Sequence, residues 1–463
     1  MGTLNAGGVA LTPSHEQVAL ASNYIADMDF LSQYLPDTYE QEFERYGNRS
    51  VSSFLRLVGA EIPSASDLIK WTEQGRLHTK YVNCASSAAA AADTATITVS
   101  DTVTAGIAIR KGQTVMISDN AGTGSNKGIV TSVDTSAGTF GVAYYEADGQ
   151  VFGASATLTL FIYGSEFKKG TVGMEGSNEA DIQIFENSPI IIKDKYTVSG
   201  SDMAQIGWVE VDTDGGSGYL WYMKSEHETR LRFEDYLETA MIEAVPAAAG
   251  SGAAAVAASN VAGSKGSDGV FHAVSTRGNV WSGGLMTNIA DVDTIVARLD
   301  GQGAIEENVL FLNRAESFNL DDILAAQSVA SGAAYGMFDN DKDMALNLGF
   351  TSFRRGYDFH KTDWKYLNDP TMRGNLGSDN VTGLLVPAGT TSVYDQVIGK
   401  NAKRPFLHVR YRASQSEDRK MKTWITGSAG GAATSDLDAM EVNFLSERAI
   451  CTLGANNFML FTD

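Results

Sequence analysis

Apolar residues have the spacing of β-strands between residues 93 and 163. Ile97 and Val99 alternate with threonines, and the other short apolar runs are separated by turns rich in Gly or Asp. The predicted strands cover residues 97–99, 107–109, 115–117, 129–133, 140–144 and 158–162. Short strands spaced ~8–12 residues apart are typical of a small barrel or sandwich. We therefore predict an inserted β domain over residues 83–164.

The strongest helical pattern lies after this domain, between residues 219 and 245. Five apolar residues share one face of the predicted helix: Phe233, Leu237, Ala240, Met241 and Ala244. The charged residues lie mostly on the other face, namely Arg230, Arg232, Glu234, Asp235, Glu238 and Glu243. An amphipathic helix of roughly 26 residues spans ~39 Å, which is long for a globular domain.

The remaining segments contain both patterns, so the predicted fold class is α+β. Further helices are predicted over residues 13–28, 36–46, 291–299 and 320–327. Further strands are predicted over residues 309–312, 384–386, 406–411, 422–425, 441–444 and 458–461. The chain has 463 residues, more than one hydrophobic core usually supports. Because single cores stop growing at ~250–300 residues, we expect two to four packed units.

Charge and cysteine content exclude several classes of protein. The formal net charge is -21, from 56 acidic and 35 basic residues, and no cluster of Lys or Arg is present. Proteins that bind DNA replace phosphate counterions with basic patches, so a DNA-binding function is disfavoured. Cys84 and Cys451 are too few and too far apart for a disulfide scaffold or a Cys-based zinc finger. With no signal peptide pattern and no run of ~20 apolar residues, we expect a soluble protein made in the cytoplasm, without a membrane.

A search for catalytic and ligand-binding motifs assigns no catalytic, cofactor-binding or metal-ligating residue. The six histidines are isolated from one another: His15, His78, His227, His272, His360 and His408. Residues 122–128 resemble a phosphate-binding loop, but Gly128 follows Lys127 where magnesium binding needs Ser or Thr, so a hairpin turn is predicted. Residues 339–343 resemble a calcium loop, but Met344 and Phe350 replace the required Gly and Glu. We therefore expect a protein that is not an enzyme and has no cofactor.

Several phrases of the sequence resemble the major capsid proteins of tailed bacteriophages with the Hong Kong 97-type fold, most closely those of crAss-like phages. In the N-terminal region they are Gln17-Val18-Ala19-Leu20, Met28-Asp29-Phe30-Leu31, Glu42-Phe43-Glu44-Arg45-Tyr46-Gly47-Asn48 and Trp71-Thr72-Glu73-Gln74-Gly75-Arg76-Leu77-His78. Residues 187–211, 345–360 and 441–461 are similar to the same group. The resemblance covers most of the chain outside residues 83–165.

The resemblance implies a role for each segment. Residues 1–59 would form an N-terminal arm with helices, and residues 60–82 and 165–206 an extended β-hairpin loop over the next subunit. Residues 207–282 and 401–463 would form the peripheral domain, with 219–245 as its spine helix. Residues 283–400 would form the axial domain, and 83–164 the inserted barrel-like domain.

The implied function is self-assembly into hexamers and pentamers that form the icosahedral head around double-stranded DNA. The expected partners are other copies of the chain, together with portal, scaffold and auxiliary or decoration proteins. The expected location is the virion capsid, and the bacterial host cytoplasm during assembly. Other virion subunits (decoration, tail or baseplate) are an alternative. A virion-associated glycan hydrolase is a further alternative, because two carboxylates ~5–10 Å apart can come from distant positions in a sequence.

Overall fold

A computed structural model describes residues 60–99, 106–154, 157–176, 180–204, 211–213, 216–218, 221–255, 264–303, 305–330, 351–374, 376, 380–395, 400–431 and 433–463. The predicted helices at 13–28 and 36–46, the arm at 1–59 and the acidic loop at 339–343 lie outside these residues. The chain divides into two compact units, residues 71–185 and residues 1–70 with 186–463.

The described residues contain strands in both units. They are β1 (Ala60–Ser64), β2 (Ile69–Gln74), β3 (Lys80–Ser86), β4 (Thr94–Val99), β5 (Gln113–Asp119), β6 (Ser125–Asp134), β7 (Thr139–Tyr144), β8 (Leu158–Ser165), β9 (Ile182–Asn187), β10 (Ile190–Ser199), β11 (Val211–Thr213), β12 (Gly216–Gly218), β13 (Asn279–Trp281), β14 (Glu307–Leu312), β15 (Ser352–Arg355), β16 (Tyr357–Asp363), β17 (Val381–Pro387), β18 (Thr390–Asp395), β19 (Lys400–Pro405), β20 (Leu407–Arg412), β21 (Lys422–Gly427), β22 (Ala439–Thr452) and β23 (Met459–Thr462).

The helices of the described residues all lie in the second of these units. They are α1 (Gly200–Met203), α2 (Trp221–Glu243), α3 (Gly252–Ala255), α4 (Val270–Arg277), α5 (Ile289–Gln302), α6 (Arg314–Ala330) and α7 (Lys365–Asn368), and a short 3-10 helix spans Ala455–Asn457.

Residues 80–165 form a closed antiparallel barrel with the strand order β3-β4-β7-β6-β5-β8. Alternation along β4 places Ala95, Ile97 and Val99 inside the barrel and the threonines outside. Val115, Ile117, Phe140, Val142, Leu158 and Leu160 complete much of the interior. A barrel with six strands has an interior narrow enough for side chains to fill. The predicted small β-barrel is confirmed, and five of the six predicted strands fall within β4 to β8. Residues 107–109 are not a strand, although Ile107 and Ile109 are buried, and strand β3 was not predicted.

Gln150 joins the residues that close one end of the barrel. Its Oε1 atom accepts hydrogen bonds from Ser86 Oγ at 2.7 Å and from Tyr144 OH at 2.9 Å. Its Nε2 atom donates to the carbonyl oxygens of Ala88 and Phe152 at 2.9 and 2.7 Å. Because every polar atom of this buried amide has a partner, the apolar interior is sealed without an unsatisfied group.

A five-stranded sheet lies in the other unit, with β22 as its longest strand. The order is β1-β20-β22-β10, and β21 also pairs with β22. Helix α2 covers one face, where the rings of Phe233 and Phe444 stack at 5.7 Å. Val198, Leu237, Met440 and Val442 extend the same cluster. The helix predicted over residues 219–245 is therefore observed as α2, with its apolar face on the sheet.

Glu238 departs from the predicted polar face of this helix. The residue is buried, whereas the amphipathic pattern placed it among the exposed charges. The reason is that Ile242 is also fully buried, which widens the apolar stripe beyond Phe233, Leu237 and Met241. Glu238 lies one turn before Ile242 and therefore shares its side of the helix.

A six-stranded mixed sheet has the order β13-β23-β17-β14-β16-β15. The strand pairs β13–β23 and β14–β16 are parallel, and the other pairs are antiparallel. Helix α5 begins at a capping box, in which Asn288 and Asp291 accept each other's backbone N–H. Its residues Val292, Ile295 and Leu299 pack on the sheet with Leu320 and Ile323 of α6.

Each of these sheets contains strands from more than one of the segments expected from the sequence. Strand β23, from the segment 401–463 expected to be peripheral, pairs with β17 from the segment 283–400. Strands β1 and β10, from the segments expected to form the extended loop, pair with β20 and β22 from the segment 401–463. Long-range strand pairing decides both assignments, and a local apolar pattern carries no information about the partner of a strand.

Candidate functional site

Strands β2 and β9 pair only with each other among the described residues, and we call them the ribbon. The N–H of Gly75 donates to the carbonyl oxygen of Asp181 at 2.7 Å. Lys70 forms an ion pair with Glu186 at 3.0 Å. These contacts join early residues of one strand to late residues of the other, so the strands run antiparallel. A pair of strands without a third strand or a covering helix is marginally stable in water.

One face of the ribbon exposes two isoleucines. Ile182 and Ile184 are 63% and 65% exposed. The alternation of a β-strand places them on one side, together with Glu186 and its partner Lys70. Large aliphatic side chains are usually buried in a folded subunit. A contiguous patch of exposed apolar side chains marks an interaction site. This face therefore has the composition of a contact surface.

The other face of the ribbon contains an aromatic pair. The ring centroids of Trp71 and Phe185 are 6.2 Å apart. Trp71 donates from Nε1 to Oε1 of Glu73 at 2.9 Å, which fixes the indole along the strand. Both rings are only half-buried. The ribbon thus offers an aliphatic face and an aromatic face.

The base of the ribbon is held firmly, because Asn187 at the end of β9 is buried and fully hydrogen bonded. Its Nδ2 atom donates to the carbonyl oxygens of Ile450 and Asp268, at 2.7 and 3.0 Å. Its Oδ1 atom accepts from the backbone N–H groups of Ser188 and Asp268, both at 2.8 Å. The amide therefore ties the end of β9 to β22 and to the segment before α4.

An ionic network holds strand β1 in its sheet. Glu61 pairs with Lys420 and, at 3.6 Å, with Nη1 of the buried Arg448. Arg412 pairs with Asp67, just after β1, and lies 3.6 Å from Glu447. Burial lowers the pKa of Arg448, and the nearby Glu61 carboxylate opposes that effect. These charges fix the chain on the N-terminal side of β2.

Exposed apolar side chains are concentrated in the unit that contains the ribbon and the barrel. Eleven of the 22 large apolar side chains that are exposed in the described residues lie between residues 71 and 185, which hold about 30% of the described residues. They are Leu77, Val82, Tyr145, Val151, Phe161, Tyr163, Phe167, Val172, Met174, Ile182 and Ile184. A unit with this surface is suited to contact other molecules.

Among the described residues, the side chains that could bind a metal ion do not cluster. No group of three His, Cys, Asp or Glu side chains that could hold a metal occurs in the described ranges. Cys84 and Cys451 are buried. Residues 122–128, which resemble a phosphate-binding loop, form part of the turn between β5 and β6 and the first residues of β6. The predicted hairpin turn is therefore observed. Asp321 pairs with Lys361 at 2.5 Å.

None of the helices that the structure describes is long and apolar enough to cross a membrane.

The sequence segments that resemble phage capsid proteins contain Trp71 and Asn187. Neither the burial of Asn187 nor the exposure of Ile182 and Ile184 could be derived from those phrases, since both depend on which strands pair.

No protein-family model and no curated protein matches the sequence. Solved structures of phage and phage-like particles are similar to it at low identity. The chain is 10% identical to one from the Cyanophage A-1(L) capsid asymmetric unit, with a TM-score of 0.44, covering 94% of this chain and 98% of that one. For the capsid of a native GTA particle the identity is 10%, the TM-score 0.39 and the coverage 96% and 99%. A chain of Microbacterium phage Oxtober96 is 11% identical, with a TM-score of 0.38, and the match covers 94% of this chain and 96% of that one.

Proposed function

We propose that the chain is the major capsid protein of a tailed bacteriophage and has no enzymatic activity. Copies assemble into hexamers and pentamers of an icosahedral head that encloses double-stranded DNA. The proposed location is the virion, and the host cytoplasm during assembly. The exposed ribbon carries the proposal, because it is a strand pair with two exposed isoleucines on one face and a hydrogen-bonded base. The phrases of the sequence that resemble crAss-like phage capsid proteins support the same function.

Contact between copies removes the exposed ribbon faces from water. Burying the exposed parts of Ile182 and Ile184 stabilises a contact by roughly 2–4 kcal/mol. A head-to-tail contact of this kind uses different surfaces on the two copies, and it closes into a ring when the rotation permits. Each subunit makes several such contacts, each of which buries ~800 Å² per partner. The free energies of these contacts are individually modest, but together they stabilise the shell.

The acidic surface suits a container for DNA. With a net charge of -21, the protein repels the phosphate backbone and lacks the cation clusters that anchor nucleic acid. The enclosed DNA would therefore be held without sequence-specific binding. Portal, scaffold and auxiliary or decoration proteins are the proposed partners, and the barrel with its exposed aromatic residues is the proposed surface for contacts outside the ribbon.

Negative-stain electron microscopy of the purified full-length chain tests the function. We expect rings, sheets or shells from the wild-type protein. The double variant Ile182→Asp/Ile184→Asp should abolish them, because two charges would be buried in the contact. The matched variant Thr96→Asp/Thr98→Asp places the same charges on the outer wall of β4 and should still assemble. A monodisperse wild-type monomer with hydrolase activity would reject the proposal.

A further inference from the structure

Glu316 is a fully buried acid in the first turn of helix α6. Its relative exposure is 0%, and its backbone N–H donates to Oδ1 of Asn313 at 2.7 Å. Its Oε1 atom accepts a hydrogen bond from the N–H of Met286 at 2.9 Å. Its Oε2 atom is buried and has no hydrogen-bond partner in the described part of the chain. One carboxyl group therefore joins helix α6 to residues 282–288, which we call the Met286 loop.

The charges that act on Glu316 are negative. Asp291 of helix α5 and Asp463 after β23 both disfavour its ionised form. The cations near the start of α6 are engaged elsewhere. Arg314 pairs with Asp363 at 2.5 Å. Lys361 of β16, whose Nζ lies 3.4 Å from the carbonyl oxygen of Ser317, pairs with Asp321.

Burial is the largest cause that raises the pKa of Glu316, to about 7, and the repulsion of Asp463 and Asp291 adds to it. The hydrogen bond from Met286 acts in the opposite direction, because it stabilises the carboxylate. An unpaired carboxylate is costly in a low-dielectric interior, so the folded state favours the neutral acid.

We propose that Glu316 is a proton-operated latch, which holds the Met286 loop closed when neutral and loosens it when ionised. The ionised Oε2 atom needs water or a donor, and the least costly way to supply one is to open the adjacent surface. The Met286 loop is suited to this, since Met286 is its buried residue while Ser282, Gly283, Thr287 and Asn288 are exposed. Opening it admits water without unpairing any strand of the six-stranded sheet.

The latch goes beyond the proposed capsid function and does not depend on it. It acts within one subunit, on groups that belong to the six-stranded sheet and its two helices. A subunit would therefore respond to pH near neutrality whether or not it is assembled. The chemical signal is the proton alone, and no further ligand is required.

Hydrogen exchange of the full-length protein, measured by mass spectrometry between pH 5.5 and 8.5 and normalised for intrinsic exchange, tests the latch. We expect exchange in the Met286 loop to rise roughly tenfold across this range in the wild-type protein. Glu316→Gln keeps an oxygen acceptor for the Met286 N–H and cannot ionise, so its loop should exchange slowly at every pH. Glu307→Gln, at an exposed position of β14, should behave as wild type.

A second variant keeps the test decisive if Glu316→Gln fails to fold. Asp463→Asn removes one negative neighbour of Glu316. If that neighbour acts by repulsion, as the latch requires, the midpoint of loop opening should move to lower pH. If it instead stabilises the neutral loop by contact, the midpoint should move to higher pH. A flat exchange profile in the wild-type protein, or a midpoint that Asp463→Asn leaves unchanged or raises, would overturn the proposal.

Discussion

Asn187 donates a hydrogen bond of 2.7 Å from its side-chain amide to the carbonyl oxygen of Ile450, 263 positions later in the sequence. The bond joins the end of the ribbon to the central strand of the five-stranded sheet. Because the amide also bonds both backbone groups of Asp268, one side chain fixes three segments at the base of an otherwise exposed element.

Replacing Asn187 should destabilise the protein markedly. Asn187→Ala leaves the buried carbonyl oxygen of Ile450 and the N–H of Asp268 without this partner, at a cost of roughly 2–4 kcal/mol. Gln183→Ala, at an exposed position of the same strand, should change the unfolding free energy by less than about 0.5 kcal/mol. Chemical denaturation monitored by circular dichroism measures both, and equal midpoints for the two variants would contradict the role of Asn187.

The barrel core makes a second prediction. Phe140 is 1% exposed, and Phe140→Ala should destabilise the barrel by about 3–5 kcal/mol because a large cavity replaces the ring. Phe161→Ala removes the same ring from the outer wall and should cost far less. Hydrogen exchange of β5 to β8 in the full-length chain distinguishes the two. Similar protection in both variants would show that the core is not where the structure places it.

The half-buried pair of Glu243 and Arg373 makes a third prediction. Nη1 of Arg373 lies 2.7 Å from both carboxylate oxygens of Glu243, one of which also accepts from Tyr366 OH at 2.7 Å. Glu243→Ala removes the carboxylate that the partly buried guanidinium contacts, so it should cost about 1.5–3 kcal/mol. Tyr366→Phe, which keeps the ion pair, should cost about 1 kcal/mol. Thermal unfolding of both variants checks the order.

The pH dependence of stability gives a fourth prediction. The folded pKa of Glu316 is raised to about 7 from the ordinary 4.5, so the folded state binds a proton that the unfolded chain releases. The resulting stabilisation is present below pH 4.5 and is lost as the pH rises toward 7. The melting temperature of the wild-type protein should therefore fall by about 2–4 °C relative to Glu316→Gln between pH 5 and 8. Parallel melting curves would contradict the shift.

Local periodicity was sufficient to predict the barrel and helix α2, because their apolar residues repeat at a spacing that any single strand or helix imposes. Ile97 and Phe140 could be assigned to a core from their neighbours alone. The pairing of β23 with β17, and of β10 with β22, could not be predicted, since partners far apart in sequence are chosen by tertiary packing.

The candidate site was only partly predictable for the same reason. In the sequence, the pattern around Ile182 and Ile184 is the same as that of any alternating strand. Their exposure follows from the absence of a third strand on the ribbon among the described residues. Glu316 has the position of an ordinary acid at a helix start, where most are solvated. Only the tertiary structure shows that Met286, Asp291 and Asp463 surround it.

The central claim is that the ribbon is covered by another copy of the chain. A single reporter cysteine tests it directly: Ile184→Cys is labelled with a maleimide in separated subunits and in assembled particles. Cys84 and Cys451 are 1% and 2% exposed, so they contribute little background. We predict rapid labelling of the separated subunits and protection of roughly a hundredfold in the particles, whereas Thr96→Cys labels equally in both. Equal labelling of Ile184→Cys in both states would contradict the account.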